Sequence, residues 1–227
     1  MSPVTSPPLL AISPPHLVAL LRLRVGKRRH GLSDLFQRHD LKGKWGATSR
    51  MLQLHERRAL LRHARRAISA RLEGRTFPAM TSDGRLCECA SVFVTIRYND
   101  QLRGCVGSLE RDYPLVDAVA RCAGDAATRD PRFAPLSTND LPRVILEISV
   151  LGPLKQVQDP TMIEVGRHGL VVEQGAYRGL LLPQVATEWG WNREMFLSQT
   201  CLKAGLSAQV WRTGAKVFVF EAYVFRE

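Results

Sequence analysis

Two runs that meet at two turn residues constrain this chain most. Ser91 to Tyr98 (SVFVTIRY) alternates and is rich in β-branched and aromatic residues, the pattern of a strand. Asn99-Asp100 follows, a turn signal that lacks the usual glycine. The chain then returns as Gln101 to Leu109. Strands joined by so short a turn can pair only antiparallel, so a hairpin is expected. Its second strand is odd in one respect: Gly104 and Gly107 flank Cys105. Glycine weakens a strand and marks a bulge or a close approach of backbone or ligand.

The surrounding pattern extends the hairpin into an α+β fold. Leu61, Ala64, Ile68 and Leu72 fall three or four apart among Arg and His, an amphipathic helix that Gly74 ends. A loop over residues 75–88 turns at Asp83-Gly84. Pro114 opens a second helix, running to about Thr128, with Leu115, Val119, Cys122 and Ala126 on one face. Val144 to Leu151 alternates as a strand that Gly152-Pro153 stops. Gly166-Arg167-His168-Gly169 reads as a turn into a strand over 170–173. A second turn leads to a strand over 177–182, and Pro183 begins a short helix. Asn192 caps a further helix that Gly205 closes, and Lys216 to Phe225 is the last strand. Strands linked by short turns, with helices interspersed, imply α+β rather than a doubly wound parallel sheet. The chain's 45% hydrophobic content is enough for a sizeable core.

Charge divides the chain. Residues 1–50 carry nine Lys or Arg against Asp34 and Asp40, which is +7 of the chain's +11. They also hold five prolines, so this segment reads as a poorly ordered basic extension. Met51 opens a different texture and is a candidate biological start, with 51–227 as the folded domain. A basic tail suits nucleic acid or an acidic surface, but the folded part does not interleave basic and aromatic residues as nucleic-acid sites do. The run Leu17–Leu23 is short and broken by Arg22, so no membrane span is expected. Five cysteines, an odd number, argue against a complete disulfide framework and for a reducing cytoplasm. Cys87 and Cys89 lack the spacing of a zinc knuckle, so no metal ligands are assigned. P-loop, dinucleotide, nucleophile-elbow and zincin motifs are absent from the sequence.

The residues that suggest chemistry are few. Arg103 offers a fixed fork for a carboxylate or phosphate. The same arginine would lower the pKa of Cys105, making a reactive thiol; the plainer reading is a small core residue between glycines that permit tight packing. In Asp130-Pro131-Arg132-Phe133, Asp130 suits a turn cap, Arg132 would project and Phe133 would anchor. His168, in a glycine-flanked turn, would be an exposed acid or base or merely solvated. Cys201 and Lys203 lie two apart on a helix, so one faces inward and the other out.

Seven stretches resemble the AMMECR domain family, whose prokaryotic members are also called AmmeMemoRadiSam system protein A. They are FVTI (93–96), LRGCVG (102–107), DPRF (130–133), ISVLGP (148–153), GRHGL (166–170), GLLLPQVA (179–186) and FLSQTCLKAGL (196–206), the last followed by Trp211. The resemblance spans about residues 51–227. It implies a two-lobed α+β domain: a larger lobe with a mainly antiparallel sheet and flanking helices, and a smaller α/β lobe across a cleft. By motif position it carries Cys105 and His168 over as catalytic candidates. Arg103, Gly104, Gly107, Arg132, Gln184, Cys201 and Lys203 carry over as binding candidates. The family name implies work alongside a Memo-like protein and a radical-SAM enzyme, with no reaction and no cofactor specified. Whether the chain is an enzyme, a non-enzymatic interaction module or, least favoured, a nucleic-acid binder through residues 1–50 is open at this point.

Overall fold

The structure, a computed structural model, describes residues 52–78 and 84–227. The basic extension, the Met51 start and the Asp83 half of the expected turn lie outside the described residues. Helix α1 (Leu54–Leu72) begins with a capping box in which the Gln53 N–H donates to Glu56 Oε2 at 2.6 Å. It ends before Gly74, whose φ of +67° suits glycine. The expected hairpin is β1 (Ser91–Tyr98) and β2 (Gln101–Ser108). Asn99 and Asp100 both have positive φ, 49° and 58°. The turn therefore has the primed geometry, with Asp taking the place usually held by glycine. Then come α2 (Leu115–Thr128), β3 (Val144–Leu151), β4 (Lys155–Val157), β5 (His168–Gln174), β6 (Tyr177–Leu181), α3 (Pro183–Glu188), α4 (Arg193–Lys203) and β7 (Lys216–Arg226).

All pairings among these strands are antiparallel, in the order β2-β1-β3-β7-β5-β6. The 11-residue β7 is the spine. Its second half, from Ala222, pairs with β3, and its first half pairs with β5. Strand β4 continues along the β3 side of β7 after the Gly152-Pro153 interruption. The sequence pattern did not reveal β4, because three residues are too few to show a period.

The alternation of strand side chains builds three cores from this curled sheet. Val92, Val94 and Ile96 of β1 and Leu146 and Ile148 of β3 pack against α1 and α2. Leu170 and Val172 of β5 and Val217 and Val219 of β7 pack against Phe196, Leu197 and Cys201 of α4. The opposite faces of the same strands meet each other through Phe93, Val171, Leu180, Phe218 and Phe220. Curling thus gives two lobes, each with its own helices, and a seam where the opposite faces of the sheet meet.

Candidate functional site

The site begins at a defect in β2. Ile96 pairs with Gly104 but Arg97 pairs with Leu102, so Arg103 is an extra, bulged residue. Gly104 faces α2, where a Cβ would sit 2.3 Å from the Ala126 carbonyl oxygen. Gly107 faces the seam, where a Cβ would sit 2.0 Å from the Phe93 ring. Both glycines are required by close approach, one on each face of the strand. Arg103 turns aside: Nη1 donates to the Ala134 carbonyl at 2.7 Å, and the guanidinium lies 5.9 Å from the Phe133 ring centre.

Cys105 projects into the seam. Its cross-strand neighbour is Thr95, and Thr95 Oγ1 lies 3.2 Å from Cys105 Sγ. Because β2 is an edge strand, one side of its backbone has no strand partner. The DPRF loop fills that place at Cys105. The Cys105 N–H donates to Asp130 Oδ2 at 2.8 Å, and Arg132 Nη2 donates to the Cys105 carbonyl at 3.4 Å. Asp130 also accepts from Arg132 Nε at 2.8 Å and Nη2 at 2.5 Å. Arg132 therefore folds back onto Asp130 instead of projecting as expected. Phe133 is half-buried, with its ring 5.3 Å from the Arg132 guanidinium.

The electrostatics differ from the sequence expectation. Cys105 is buried, 5% exposed. Burial pushes its thiol up, and the opposing pulls of Thr95, Arg132 and Lys203 do not reverse this. The arginine beside it in sequence, Arg103, is not among the groups acting on it. A protonated thiol results, not the activated thiolate expected from Arg103. Asp130 is the reverse case. Burial favours its neutral form, but its hydrogen bonds from Arg132 and from the Cys105 N–H hold the carboxyl below its usual range.

The second lobe contributes Lys203, in the last turn of α4. The helix sits tightly on β6 because Gly179 leaves room: a Cβ there would lie 2.5 Å from Ala204 N. Lys203 and Cys105 act on each other's titration across the seam, and Arg132 acts on both. Lys203 has no hydrogen bond or ion pair among the described residues. Burial lowers its pKa to about 8, and Arg132 adds to the effect. Cys201 faces the other way and is fully buried in the second core, while Lys203 is half-buried toward the seam instead of pointing out to solvent.

One residue of this surface escaped the sequence reading. Glu147 of β3 pairs with Thr95, so Cys105, Thr95 and Glu147 form a row across three strands. Burial raises the Glu147 carboxyl, with Glu188 adding to the effect and Arg97 opposing it. Arg97 lies 3.9 Å from both Glu147 and Glu188. A signal was present: Glu147 is the acidic member of an alternating strand. Gln184 and Glu188 are four apart on α3, so Gln184 shares the side that approaches Arg97.

His168 does not join this group. It is the first residue of β5, not a turn residue, and is paired with Glu221. It is half-buried, and its Nδ1 accepts the Glu164 N–H at 3.1 Å. Among the described residues no group of three or more His, Cys, Asp or Glu is placed to hold a metal ion. No helix among them is long and apolar enough to cross a membrane.

Comparison with known proteins agrees with this architecture. The AMMECR1 family model matches residues 61–225. A protein of Methanocaldococcus jannaschii is 40% identical over 191 residues, covering 78% of this chain and 93% of its own length. Protein PH0010 of Pyrococcus horikoshii is 44% identical over 181 residues, covering 74% and 88%. The crystal structure of PH0010, described as uncharacterized, superposes with a TM-score of 0.71 at 43% identity, covering 74% of this chain and 90% of that one.

Proposed function

The chain belongs to the AMMECR1 family, and from that premise we propose that it acts as a component beside a Memo-like protein and a radical-SAM enzyme, with its chemistry at the interlobe seam. Cys105 contacts the bound molecule as a neutral thiol, able to donate a hydrogen bond or a proton. Lys203 supplies the cation for an anionic group, and as its pKa is about 8 it exchanges a proton readily near neutral pH. The Asp130–Arg132 pair fixes the Cys105 peptide and is a positioning device. One arrangement carries this reading: Lys203 of the second lobe, without a hydrogen bond or ion pair among the described residues, lies across the seam from the first lobe's Cys105, which the Asp130–Arg132 pair clamps. A half-buried ammonium without a partner costs stability, and such costs cluster at functional sites.

The burial of Cys105 favours one other reading, a docking module without chemistry of its own. The two separate in a reconstitution of the three proteins. Capture of the partners by affinity-tagged chain is measured together with 5′-deoxyadenosine formation by the radical-SAM enzyme. The site reading expects Cys105→Ser and Lys203→Met to retain capture and lose most of the stimulated turnover. Unchanged turnover in both variants, with capture intact, removes the site and leaves the docking module.

A further inference from the structure

Helix α1 carries charge that the fold does not use. Arg58, Arg62 and Arg66 are spaced four apart, one turn each, and all three are exposed. None has an ion pair or hydrogen bond among the described residues. Like charges at this spacing repel, and Arg58 stands near the positive end of the helix dipole. The helix therefore holds an arrangement that its own stability disfavours. Beside it lies the exposed Arg226, at the end of β7, in register with Glu147 of β3 and acting on its carboxyl.

Arg58, Arg62 and Arg226, but not Arg66, border a groove of about 400 Å³ whose lining also includes Leu54 and Leu61 of α1 and Phe225 of β7. Its floor is apolar. Leu54 is 53% exposed, a large fraction for leucine, while Phe225 is buried beneath. The carboxylate in the lining, Glu227, is already taken by Arg65 through two hydrogen bonds. Among the described residues, no carboxylate pairs with Arg58 or Arg62 over this apolar floor.

We propose that this groove docks an acidic amphipathic segment of a partner protein, with Asp or Glu at helical spacing on the arginines and an apolar side chain against Leu54 and Phe225. Charge complementarity selects the occupant. Residues 1–50 of the same chain are +7 and would be repelled. A second copy, at a net +11, is no better suited. Phosphates alone would leave the apolar floor unfilled. The helical wall of this surface lies on the helix-bearing side of the first lobe, away from Cys105, and the proposal does not depend on the seam chemistry.

The test is fluorescence anisotropy on the full chain with a labelled 15-residue helical peptide carrying Glu at three positions four apart and a Leu between them. Binding is expected to weaken at least tenfold from 50 to 300 mM salt and at least tenfold in Arg58→Glu/Arg62→Glu. Arg58→Gln/Arg62→Gln, which changes charge without reversal, is expected to weaken it by a smaller factor. Leu→Ser in the peptide is expected to weaken it at fixed salt. Circular dichroism of both variants confirms folding. Equal binding of a Gln-for-Glu peptide, or no loss in the charge variants, overturns the proposal. So does tighter binding of a single-stranded oligonucleotide lost in the same variants, which makes the surface a nucleic-acid site. Tighter binding of a peptide of residues 17–29 overturns it too, because the chain's own tail is then the occupant.

Discussion

At the scale of single residues, two titrating groups carry the account. Lys203 has a folded pKa of about 8 against an ordinary value of 10.5. Below pH 8 the ammonium is protonated in both folded and unfolded chains, and the folded state bears the cost of its partial burial. Between about pH 8 and 10.5 the folded chain has released a proton that the unfolded chain still holds, so stability rises with pH there. Lys203→Met is therefore expected to stabilise the protein at pH 7 by about 1–2 kcal/mol in urea unfolding. That advantage should shrink above pH 8, whereas a constant difference would place Lys203 in open solvent. Cys105 is expected to behave oppositely to an activated nucleophile. In alkylation at pH 8, the exposed Cys87 and Cys89 should be modified at least tenfold faster than Cys105. Equal rates on the folded chain would contradict the buried, protonated thiol.

At the scale of elements, the edge strand β2 depends on partners from outside the sheet. Asp130 and Arg132 bond the outward N–H and carbonyl of Cys105, the place a further strand would occupy. Asp130→Asn removes a charge that partners the half-buried Arg132, at a cost of about 2–4 kcal/mol in thermal or chemical unfolding. Because the Asp130 pKa is depressed, its contribution is present above the ordinary carboxylate range and lost as pH falls through the folded value. The wild type should therefore lose its advantage over Asp130→Asn only in strong acid. Gly104→Ala would press a methyl into the Ala126 carbonyl and push α2 off the hairpin. A loss of about 2–4 kcal/mol is expected from that overpacking. A near-neutral result would mean that the helix approach is looser than the geometry states.

At the scale of the whole molecule, the hairpin, both long helices, β3 and the final strand were legible because each has a period and a recognisable end. The α+β class followed from short turns between strands. The curl was not legible, because it comes from β7 serving β3 with one half and β5 with the other, which no local pattern encodes. For the same reason the company of Cys105 was misjudged. Its sequence neighbour Arg103 is bulged away, while Arg132, Asp130 and Lys203 reach it from residues 25 or more positions distant. His168 was misplaced because glycines on both sides imitate a turn, whereas Gly169 in fact admits the Phe220 ring against β5.

The central claim is that the two lobes share one ionisable site. Titration of Lys203 by NMR of its ¹³Cε resonance, in the wild type and in Arg132→Gln, reads it directly. The account predicts a midpoint near pH 8 that rises when the first lobe's guanidinium is removed, since Arg132 acts to lower it. A midpoint at the ordinary lysine value of 10.5, indifferent to Arg132, would show that no such shared site exists.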